Sequence, residues 1–362
     1  MSVVRLITNN FRNIEQSTTD LHANLNFLVG DNGSGKSSFL EAIFFLGHGK
    51  SFRTTKIENL VSHNQTGFVV SVKDDANSQI GISKDFISNV TEIKINGQKH
   101  NKLSELAKNI AVQIITPESF KLFFGGPKER RRFVDLGLFH VEQSFSKEWK
   151  DFSRVLKQRN AYLRSGNNVS GIKYWDEAFC NHSNIVSELR LKYINSFKEE
   201  FNYWAQILLP NIYENIEIQY FQGWKQNTLL EDVLNNNRTR ELALGYSLSG
   251  THKFDVRFML NKQPLENQFS RGQQKLFLLA LTFTQAKLIE KVKRVKPILL
   301  IDDVGAELDS HSRTVLNNAI NQLNCQVIIT AIDKVAVEPL VPNNFEYKMF
   351  HVKHGKISEM SE

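Results

Sequence analysis

Two kinds of hydrophobic spacing divide this chain, and they predict different secondary structure. Up to about residue 115, short apolar runs and alternating apolar and polar positions are typical of strands. One stretch in this region, residues 38–46, has instead the spacing of an apolar helix. The strands are predicted at residues 3–7, 25–29, 68–72, 79–83 and 92–95.

The middle of the chain has helical spacing. From Leu138 to Leu156 and from Trp175 to Leu208, apolar residues recur at intervals of three and four, which gives each helix one narrow apolar face. Residues 165–171 between them are rich in Ser, Gly and Asn, and are typical of a loop. The sequence therefore predicts an antiparallel helical hairpin over about residues 138–208. Its length would be about 40 Å, for ~27 residues at ~1.5 Å each.

Strand spacing returns after the hairpin, at residues 216–221, 254–260, 298–301 and 326–329. We therefore expect an α/β domain that is interrupted by a mainly helical insertion. The predicted boundaries are 1–115 and 245–362 for the two halves of the α/β domain, and 116–244 for the insertion.

Composition limits the classes of protein to which the chain can belong. Its 362 residues are 41% apolar, enough for a substantial core and two domains. A net charge of +7 permits an anionic partner such as nucleic acid without requiring one. Two cysteines without metal-type spacing argue against a disulfide framework, and no apolar run is long enough to span a bilayer. We expect a soluble protein of a reducing, cytoplasmic compartment.

A glycine-rich segment lies between the predicted strand at 25–29 and the helix at 38–46. Its glycines and lysine have the spacing of a phosphate-binding loop, in which backbone N–H groups converge on phosphate oxygens at the positive end of the helix. We expect Lys36 to neutralise the β- and γ-phosphates of ATP and Ser37 to bind Mg²⁺. The candidate nucleotide contacts here are Gly30, Asp31, Asn32, Gly33, Ser34, Gly35, Lys36, Ser37 and Ser38.

Two adjacent carboxylates follow an apolar strand. Residues 298–301 are Ile-Leu-Leu-Ile, typical of a strand buried on both faces, and Asp302 and Asp303 come directly after them. Because neighbouring carboxylates repel each other, a divalent cation would relieve the repulsion. We expect Asp302 to bind Mg²⁺ and Asp303 to orient the water that attacks the phosphate.

A third motif precedes this strand by about thirty residues. Ser270 is a favourable N-cap for a helix with an apolar side, and the first N–H groups behind it would face an anion. Gly272 and Gln273 complete the pattern Ser-x-Gly-Gln. Taken alone, the segment predicts an ordinary capped helix, but its position before Asp302 favours a role in nucleotide binding.

Together the three motifs resemble the ATP-binding-cassette family of ATPases, and Glu-Leu-Asp at 307–309 resembles its D-loop. In that family two chains hold ATP between them. The resemblance implies that Ser270 of one subunit meets the phosphate held by Lys36 of the other, and that Gly272, Gln273 and Asp309 also contact the nucleotide.

The chain departs from that family at two positions. Asp303 stands in place of the usual catalytic glutamate and is one methylene shorter, and Thr330-Ala331 replace the histidine expected after the strand that ends at Ile329. Both changes predict that the attacking water is positioned less firmly. We therefore expect weak, slow ATP hydrolysis, with ATP acting mainly as a dimerisation switch.

Further segments resemble the RecF family of bacterial DNA replication and repair proteins over nearly the whole chain. They are residues 10–15, 49–54, 117–118, 125–127, 130–135, 156–161, 223–224, 270–275 and 300–309. The resemblance implies a head domain like those of SMC and Rad50 proteins with a short helical arm, and places Arg12 and Arg53 near the nucleotide. It also implies ATP-dependent binding to gapped DNA or junctions of double and single strands, in a pathway with RecR, RecO and RecA. Residues 250–253, Gly-Thr-His-Lys, depart from the family's Gly-Pro-His-Arg.

Clusters of Lys and Arg are the candidate DNA contacts. They can track phosphates with salt-dependent affinity, although charged residues on a helix are also typical of a solvated face. The candidates are Lys128, Arg130, Arg131, Arg132, Lys147, Lys150, Arg154, Lys157 and Arg159.

Two other functions stay open on the sequence alone. The nucleotide-binding subunit of a transporter would share the motifs, but the helical insertion and the basic charge argue against it. An SMC-like structural DNA scaffold with little hydrolysis would share the head domain. A hairpin of about 40 Å is short for the tether that such a scaffold needs.

Overall fold

The structure of the chain is a computed structural model that describes residues 2–165, 169–293, 296–303, 308, 310–342 and 346–360. Strands lie in the first and last parts of the chain and long helices lie in the middle, as the sequence predicts. In chain order the strands are β1 (Val3–Phe11), β2 (Ile14–Asp20), β3 (Leu25–Val29), β4 (Gly67–Asp74), β5 (Gln79–Asp85), β6 (Thr91–Ile95), β7 (Gln98–His100), β8 (Val112–Ile115), β9 (Ile216–Phe221), β10 (Asp255–Leu260), β11 (Gln263–Pro264), β12 (Ile298–Ile301), β13 (Gln326–Ala331), β14 (Tyr347–Lys353) and β15 (Lys356–Glu359).

Helices connect the strands and form the middle of the chain. They are α1 (Lys36–His48), α2 (Leu103–Asn109), α3 (Lys121–Phe124), α4 (Pro127–Val141), α5 (Phe145–Ser165), α6 (Val169–Leu208), α7 (Leu230–Leu244), α8 (Arg271–Lys293), α9 (Ser310–Ile320) and α10 (Lys334–Val337). None of those described is both long enough and apolar enough to cross a membrane.

The chain forms two compact units. The head unit consists of Met1–Phe120, Trp204–Pro210 and Ser270–Glu362, and the arm unit of Lys121–Tyr203 and Asn211–Phe269. Residues 245–269 therefore group with the arm, whereas the sequence pattern placed them in the second half of the α/β domain. The physical reason is strand pairing, because β10 forms an antiparallel ladder with β9 along its whole length.

The head unit contains two six-stranded sheets. One is antiparallel, in the order β2-β1-β4-β5-β6-β7. The other has the order β15-β14-β3-β13-β12-β8 and is parallel except at its edge strand β15. Every residue of β3, β12 and β13 is buried, as expected for parallel strands that are covered on both faces. Their carboxyl ends lie at the same edge of this sheet, which is where open α/β sheets bind ligands.

Helix α1 is the central element of the head core. Phe39, Leu40 and Leu46 have no exposed surface, and they belong to one apolar cluster with residues of both sheets. Only Ser37 and His48 of the helix are not buried. One of the buried residues, Glu41, carries a charge, so its surroundings must compensate for burial.

The arm unit is mainly helical and also contains the small antiparallel sheet β11-β10-β9. Helices α5 and α6 are antiparallel, because residues near the end of α5 contact residues near the start of α6, and earlier residues of α5 contact later residues of α6. The pairs are Tyr162 with Gly171, Arg159 with Asp176, Phe152 with Phe179, and Glu148 with His182. Helix α6 has 40 residues and is therefore ~60 Å long, longer than the predicted hairpin.

The apolar stripe that begins at Leu138 does not belong to one helix. Helix α4 ends at Val141, and α5 begins at Phe145. Between them the Glu142 carboxylate accepts hydrogen bonds from the N–H and the hydroxyl of Ser144, at 3.0 and 2.8 Å. Such local bonds compete with helical bonds, which explains the break.

Candidate nucleotide-binding site

The glycine-rich loop between β3 and α1 has a backbone that requires glycine. Gly33 and Gly35 have φ values of 78° and 121°, which side chains rarely allow. A Cβ atom on Gly30 would lie 2.2 Å from the Val352 carbonyl oxygen. The N–H of Gly355 donates to the Ser34 carbonyl at 2.7 Å, so the turn between β14 and β15 supports the loop from outside the motif.

Lys36 lies over this loop and is buried. Its Nζ donates to the carbonyl oxygens of Gly30 and Asp31, the latter at 2.9 Å. Burial lowers the pKa of Lys36, and the charges of Asp303, Asp302 and Asp31 oppose that change. The buried Ser34 hydroxyl has no hydrogen-bond partner among the described residues. A buried ammonium ion, an unsatisfied hydroxyl and a helix N-terminus together suit an anionic ligand such as phosphate.

Ser37 and Asp302 come together from opposite ends of the chain. Ser37 Oγ donates to Asp302 Oδ1 at 3.2 Å, and Thr330 Oγ1 donates to the same oxygen at 2.7 Å. Hydroxyl and carboxylate oxygens are ligands that Mg²⁺ prefers. The described residues contain no group of three or more His, Cys, Asp or Glu that could hold a metal. A Mg²⁺ ion here would therefore complete its coordination with phosphate oxygens and water.

Asp303 has an unusual backbone. Its φ of 53° lies in the left-handed region, which costs of order 1–3 kcal/mol for a residue that is not glycine. Its Oδ1 is buried and has no hydrogen-bond partner within the described part of the chain. Strained backbone and an unsatisfied carboxylate oxygen are typical of functional sites.

Arg12 lies in the two-residue turn between β1 and β2 and also has a positive φ, 55°. Its guanidinium donates two hydrogen bonds of 2.8 Å to the carboxylate of Glu41. Glu41 also accepts from the Ser51 hydroxyl and lies 3.7 Å from Arg53. This fully buried carboxylate therefore compensates two arginines that both border the site.

Asn13 and Glu41, which hold other groups of this site in place, escaped the sequence analysis as site residues. Asn13 accepts from the Ser38 hydroxyl at 2.8 Å and donates to the Gly33 carbonyl at 3.3 Å. Glu41 holds Arg12. A signal for Glu41 exists in the sequence, since it is the only acidic residue in an otherwise apolar stretch of residues 39–47.

These groups border one cavity of about 790 Å³, within the size range of ligand pockets. The loop, Asp302 and Asp303 form one part of its wall, and Arg12 and Arg53 another. A segment that the sequence analysis did not select contributes Asn59, Val61, Ser62, His63 and Gln65, and Asn13, Glu15 and Pro117 also border the cavity.

The third motif lies elsewhere. Ser270 and Gln273 form a capping box, in which the Ser270 N–H donates to Gln273 Oε1 at 2.9 Å and the Gln273 N–H donates to Ser270 Oγ at 3.3 Å. Neither residue lines the cavity, and neither does Gly272, where an added Cβ would meet nothing within 4 Å. Asp309 lies outside the described residues. Within one chain, the described structure therefore does not bring this motif to the phosphate-binding loop.

Three candidate DNA contacts have structural roles instead. Arg130 forms two hydrogen bonds with the Asp255 carboxylate, at 2.9 and 2.8 Å, and Arg131 donates to the Phe254 carbonyl. Arg159 is completely buried and pairs with Asp176 and Glu241. The exposed candidates are Lys128, Arg132, Lys147, Lys150, Arg154 and Lys157.

Residues 250–253 belong to the arm unit and are not among the described residues that line the cavity. The carbonyl and hydroxyl of Thr251 both accept from Arg190 at 2.7 Å. Burial lowers the pKa of His252 to about 4, and positive charges on Lys253, Arg131 and Arg159 contribute. This segment therefore helps to hold the arm together.

Comparison with known proteins agrees with the geometry. The family model described as RecF/RecN/SMC N terminal domain matches residues 2–358. The DNA replication and repair protein RecF of Colwellia psychrerythraea is 58% identical, over 99% of this chain and 97% of that protein. The chain belongs to the RecF family of DNA replication and repair proteins. This confirms the family resemblance seen in the motifs.

Solved structures support the same fold for this RecF family member. A structure described as the recombination mediator protein RecF-ATP in the RecFOR pathway has a TM-score of 0.84, with 23% identity over 99% of this chain and 98% of that one. An SMC head bound to the C-winged helix domain of ScpA has a TM-score of 0.58, with 16% identity over 100% of this chain and 98% of that one. The predicted α/β head of the SMC type, interrupted by a helical arm, is thus confirmed.

Proposed function

We propose that this chain is an ATP-dependent DNA-binding protein of replication and recombinational repair. The observation that carries the proposal is the cavity in which Lys36 and Ser37 of the glycine-rich loop meet Asp302 and Asp303 from a distant segment. The RecF structure described with ATP is consistent with it.

Each group in the cavity has a role in this proposal. The loop N–H groups and Lys36 bind the phosphates of ATP, and Arg12 and Arg53 contribute further positive charge. Ser37 and Asp302 would hold Mg²⁺, which neutralises charge on the phosphates when bound. Asp303 accepts a hydrogen bond from the attacking water and orients it. The shorter carboxylate of Asp303, and Thr330-Ala331 in place of the expected histidine, support slow hydrolysis.

Dimerisation explains the position of the third motif. Ser270 is exposed and Gly272 and Gln273 are partly exposed at the start of α8, and none of the three belongs to the described lining of their own cavity. A second copy of the chain would bring its Ser270 motif to the phosphates held by Lys36. ATP would then act as the link that holds two chains together.

DNA binding follows from the family and from charge. We propose that the protein recognises gapped DNA or junctions between double and single strands and promotes RecA loading with RecR and RecO. The α5 basic stripe, defined as Lys147, Lys150, Arg154 and Lys157, supports a contact with phosphates. All four side chains are exposed, and their spacing puts them on one side of the helix.

Light scattering tests the central step. Wild-type protein with ATP and Mg²⁺ is expected to double its mass, and Ser270→Arg is expected to stay monomeric while it binds ATP with unchanged affinity. Ser88→Arg, at another exposed serine of the head unit, is the matched control and should dimerise. A wild type that remains monomeric with bound ATP contradicts the proposed dimer.

DNA binding with and without ATP separates the proposal from a constitutive scaffold. Affinity for gapped, duplex and single-stranded DNA is measured at several salt concentrations. We expect ATP to strengthen binding, most of all for gapped DNA. Equal binding without ATP would instead support the SMC-like scaffold.

A further inference from the structure

Side chains from two other elements hold the backbone of Asp303. Its N–H donates to Thr330 Oγ1 at 2.9 Å, and its carbonyl oxygen accepts from Lys275 Nζ at 3.2 Å. Thr330 lies near the end of β13, and Lys275 lies in the second turn of α8. Thr330 is completely buried and Lys275 is 4% exposed, so water competes little for either bond.

The hydroxyl of Thr330 makes two bonds at once. It accepts from the Asp303 N–H and donates to Asp302 Oδ1 at 2.7 Å. A hydroxyl can do both because it has one donor and two acceptor positions. Thr330 therefore connects the two adjacent aspartates through a single oxygen atom.

Asp303 depends on this support for its conformation. A positive φ at a residue other than glycine persists only where the surroundings hold it. Its Oδ1 has no hydrogen-bond partner among the described residues, so the position of the backbone determines where the carboxylate can reach. The two bonds to the Asp303 backbone thereby hold this residue in place at the wall of the cavity that it lines.

We propose that Thr330 and Lys275 are positioning residues that orient Asp303 for ATP hydrolysis, an inference that rests on the proposed function. Thr330 fixes the amide end of the residue and Lys275 fixes the carbonyl end. Lys275 lies five residues after Ser270, which caps the start of the same helix. Movement at the start of α8 would therefore reach Asp303 directly, which links hydrolysis to the motif that meets the second chain.

Single-turnover ATP hydrolysis by the full chain with Mg²⁺ tests this inference, together with the affinity for ATP. Thr330→Val keeps the branched shape and removes both hydrogen bonds, and Lys275→Met removes the bond to the carbonyl. Each is expected to lower the hydrolysis rate by roughly 10- to 100-fold, because a misplaced base loses much of its catalytic contribution. The affinity for ATP should change less than about threefold, since uniform binding is retained. Thr330→Ser should recover most of the rate.

The matched control is Thr284→Val. Thr284 is also completely buried, and its hydroxyl donates to the Ala280 carbonyl of its own helix α8. A wild-type rate is expected, because Thr284 is not among the described residues that line the cavity and its hydroxyl bonds to the backbone of its own helix. An equal loss of rate in Thr284→Val would show that any buried hydroxyl of the head matters, and would overturn the inference.

An Asp303→Asn background shows whether the two residues act through Asp303. Groups that act as a unit are not additive, so Thr330→Val and Lys275→Met should cause no further loss there. A further loss, or a Thr330→Val rate that excess Mg²⁺ restores, would place their effect at Asp302 instead and overturn the inference. If Thr330→Val does not fold, Thr330→Ser and Lys275→Met decide the question. A wild type that binds no ATP refutes the proposed function, whereas one that binds ATP without hydrolysis refutes only this inference.

Discussion

At the scale of a single residue, Arg12 has both a left-handed backbone and a buried ionic partner. Its backbone is in the left-handed region, and its guanidinium compensates the fully buried Glu41 carboxylate. Removing one partner of a buried pair leaves a charge without compensation, whereas removing both partners is often nearly neutral. Stability and nucleotide affinity can therefore be separated at this residue.

We expect Arg12→Met to lower the free energy of unfolding by about 3 kcal/mol, because Glu41 loses its bidentate partner. The double variant with Glu41→Met should recover most of that stability and still bind ATP weakly, since the proposed contact with the phosphates is absent. Urea unfolding and binding of a fluorescent ATP analogue measure the two effects. The control is Arg5→Met in the exposed pair with Asp20, which should leave the free energy of unfolding close to that of the wild type. Wild-type ATP affinity in the double variant would show that Arg12 does not contact the nucleotide.

At the scale of elements, a buried ion-pair network joins three helices of the arm. Arg159 of α5 donates to Asp176 of α6 at 2.8 Å and to Glu241 of α7 at 2.6 Å. The Ser247 hydroxyl accepts a third bond, at 2.6 Å. Arg159 and Glu241 have no exposed side-chain surface, so neither charge can be solvated if its partner is lost.

Glu241→Ala is expected to destabilise the arm by about 3–5 kcal/mol, since Arg159 would remain buried with less compensation. Thermal unfolding followed by circular dichroism measures the change. Glu231→Ala provides the control, because Glu231 is exposed on the same helix. Equal effects of the two substitutions would contradict a special role for the network.

The turn that contains His252 predicts a pH dependence of arm stability. The folded-state pKa of His252 is about 4 and its usual value is 6.5, so the unfolded chain binds the proton more readily. The contribution of neutral His252 to the free energy of unfolding is present above about pH 6.5 and is lost as the pH falls towards 4. Linkage bounds the loss at about 3 kcal/mol. In melts between pH 7 and pH 4, His252→Gln should lose less stability than the wild type; parallel losses would contradict the prediction.

At the scale of the whole molecule, proposed DNA binding depends on charges rather than on base contacts. Each phosphate contact that is lost lowers the slope of log affinity against log salt by ~0.9 for duplex DNA. Lys150→Gln with Lys157→Gln is therefore expected to lower that slope by about 2. Lys94→Gln with Lys99→Gln removes the same charge from exposed positions paired with Glu92 and should leave the slope unchanged. Equal slopes of log affinity against log salt in the two double variants would show that the α5 basic stripe does not contact DNA.

Local patterns in the sequence predict much of the secondary structure. Residues 25–29, 216–221 and 298–301 are strands with the predicted limits. Each is a short apolar or alternating run, whose structure depends mainly on its own residues. The sequence analysis did not predict β14 and β15. In the structure these strands support the loop at Gly30 and Ser34, and that role depends on contacts between distant segments.

Chemistry that depends on several segments could be predicted only in part. The sequence by itself determined the glycine-rich loop, the buried strand before Asp302 and the cap at Ser270, since each motif is contiguous and its residues act on their own neighbours. Only the tertiary structure decided that Glu41 holds Arg12, that Arg159 is buried rather than available to DNA, and that Thr330 and Lys275 hold Asp303. The physical reason is distance along the chain: sheet order and helix packing bring together residues whose separation in sequence leaves no periodic signal.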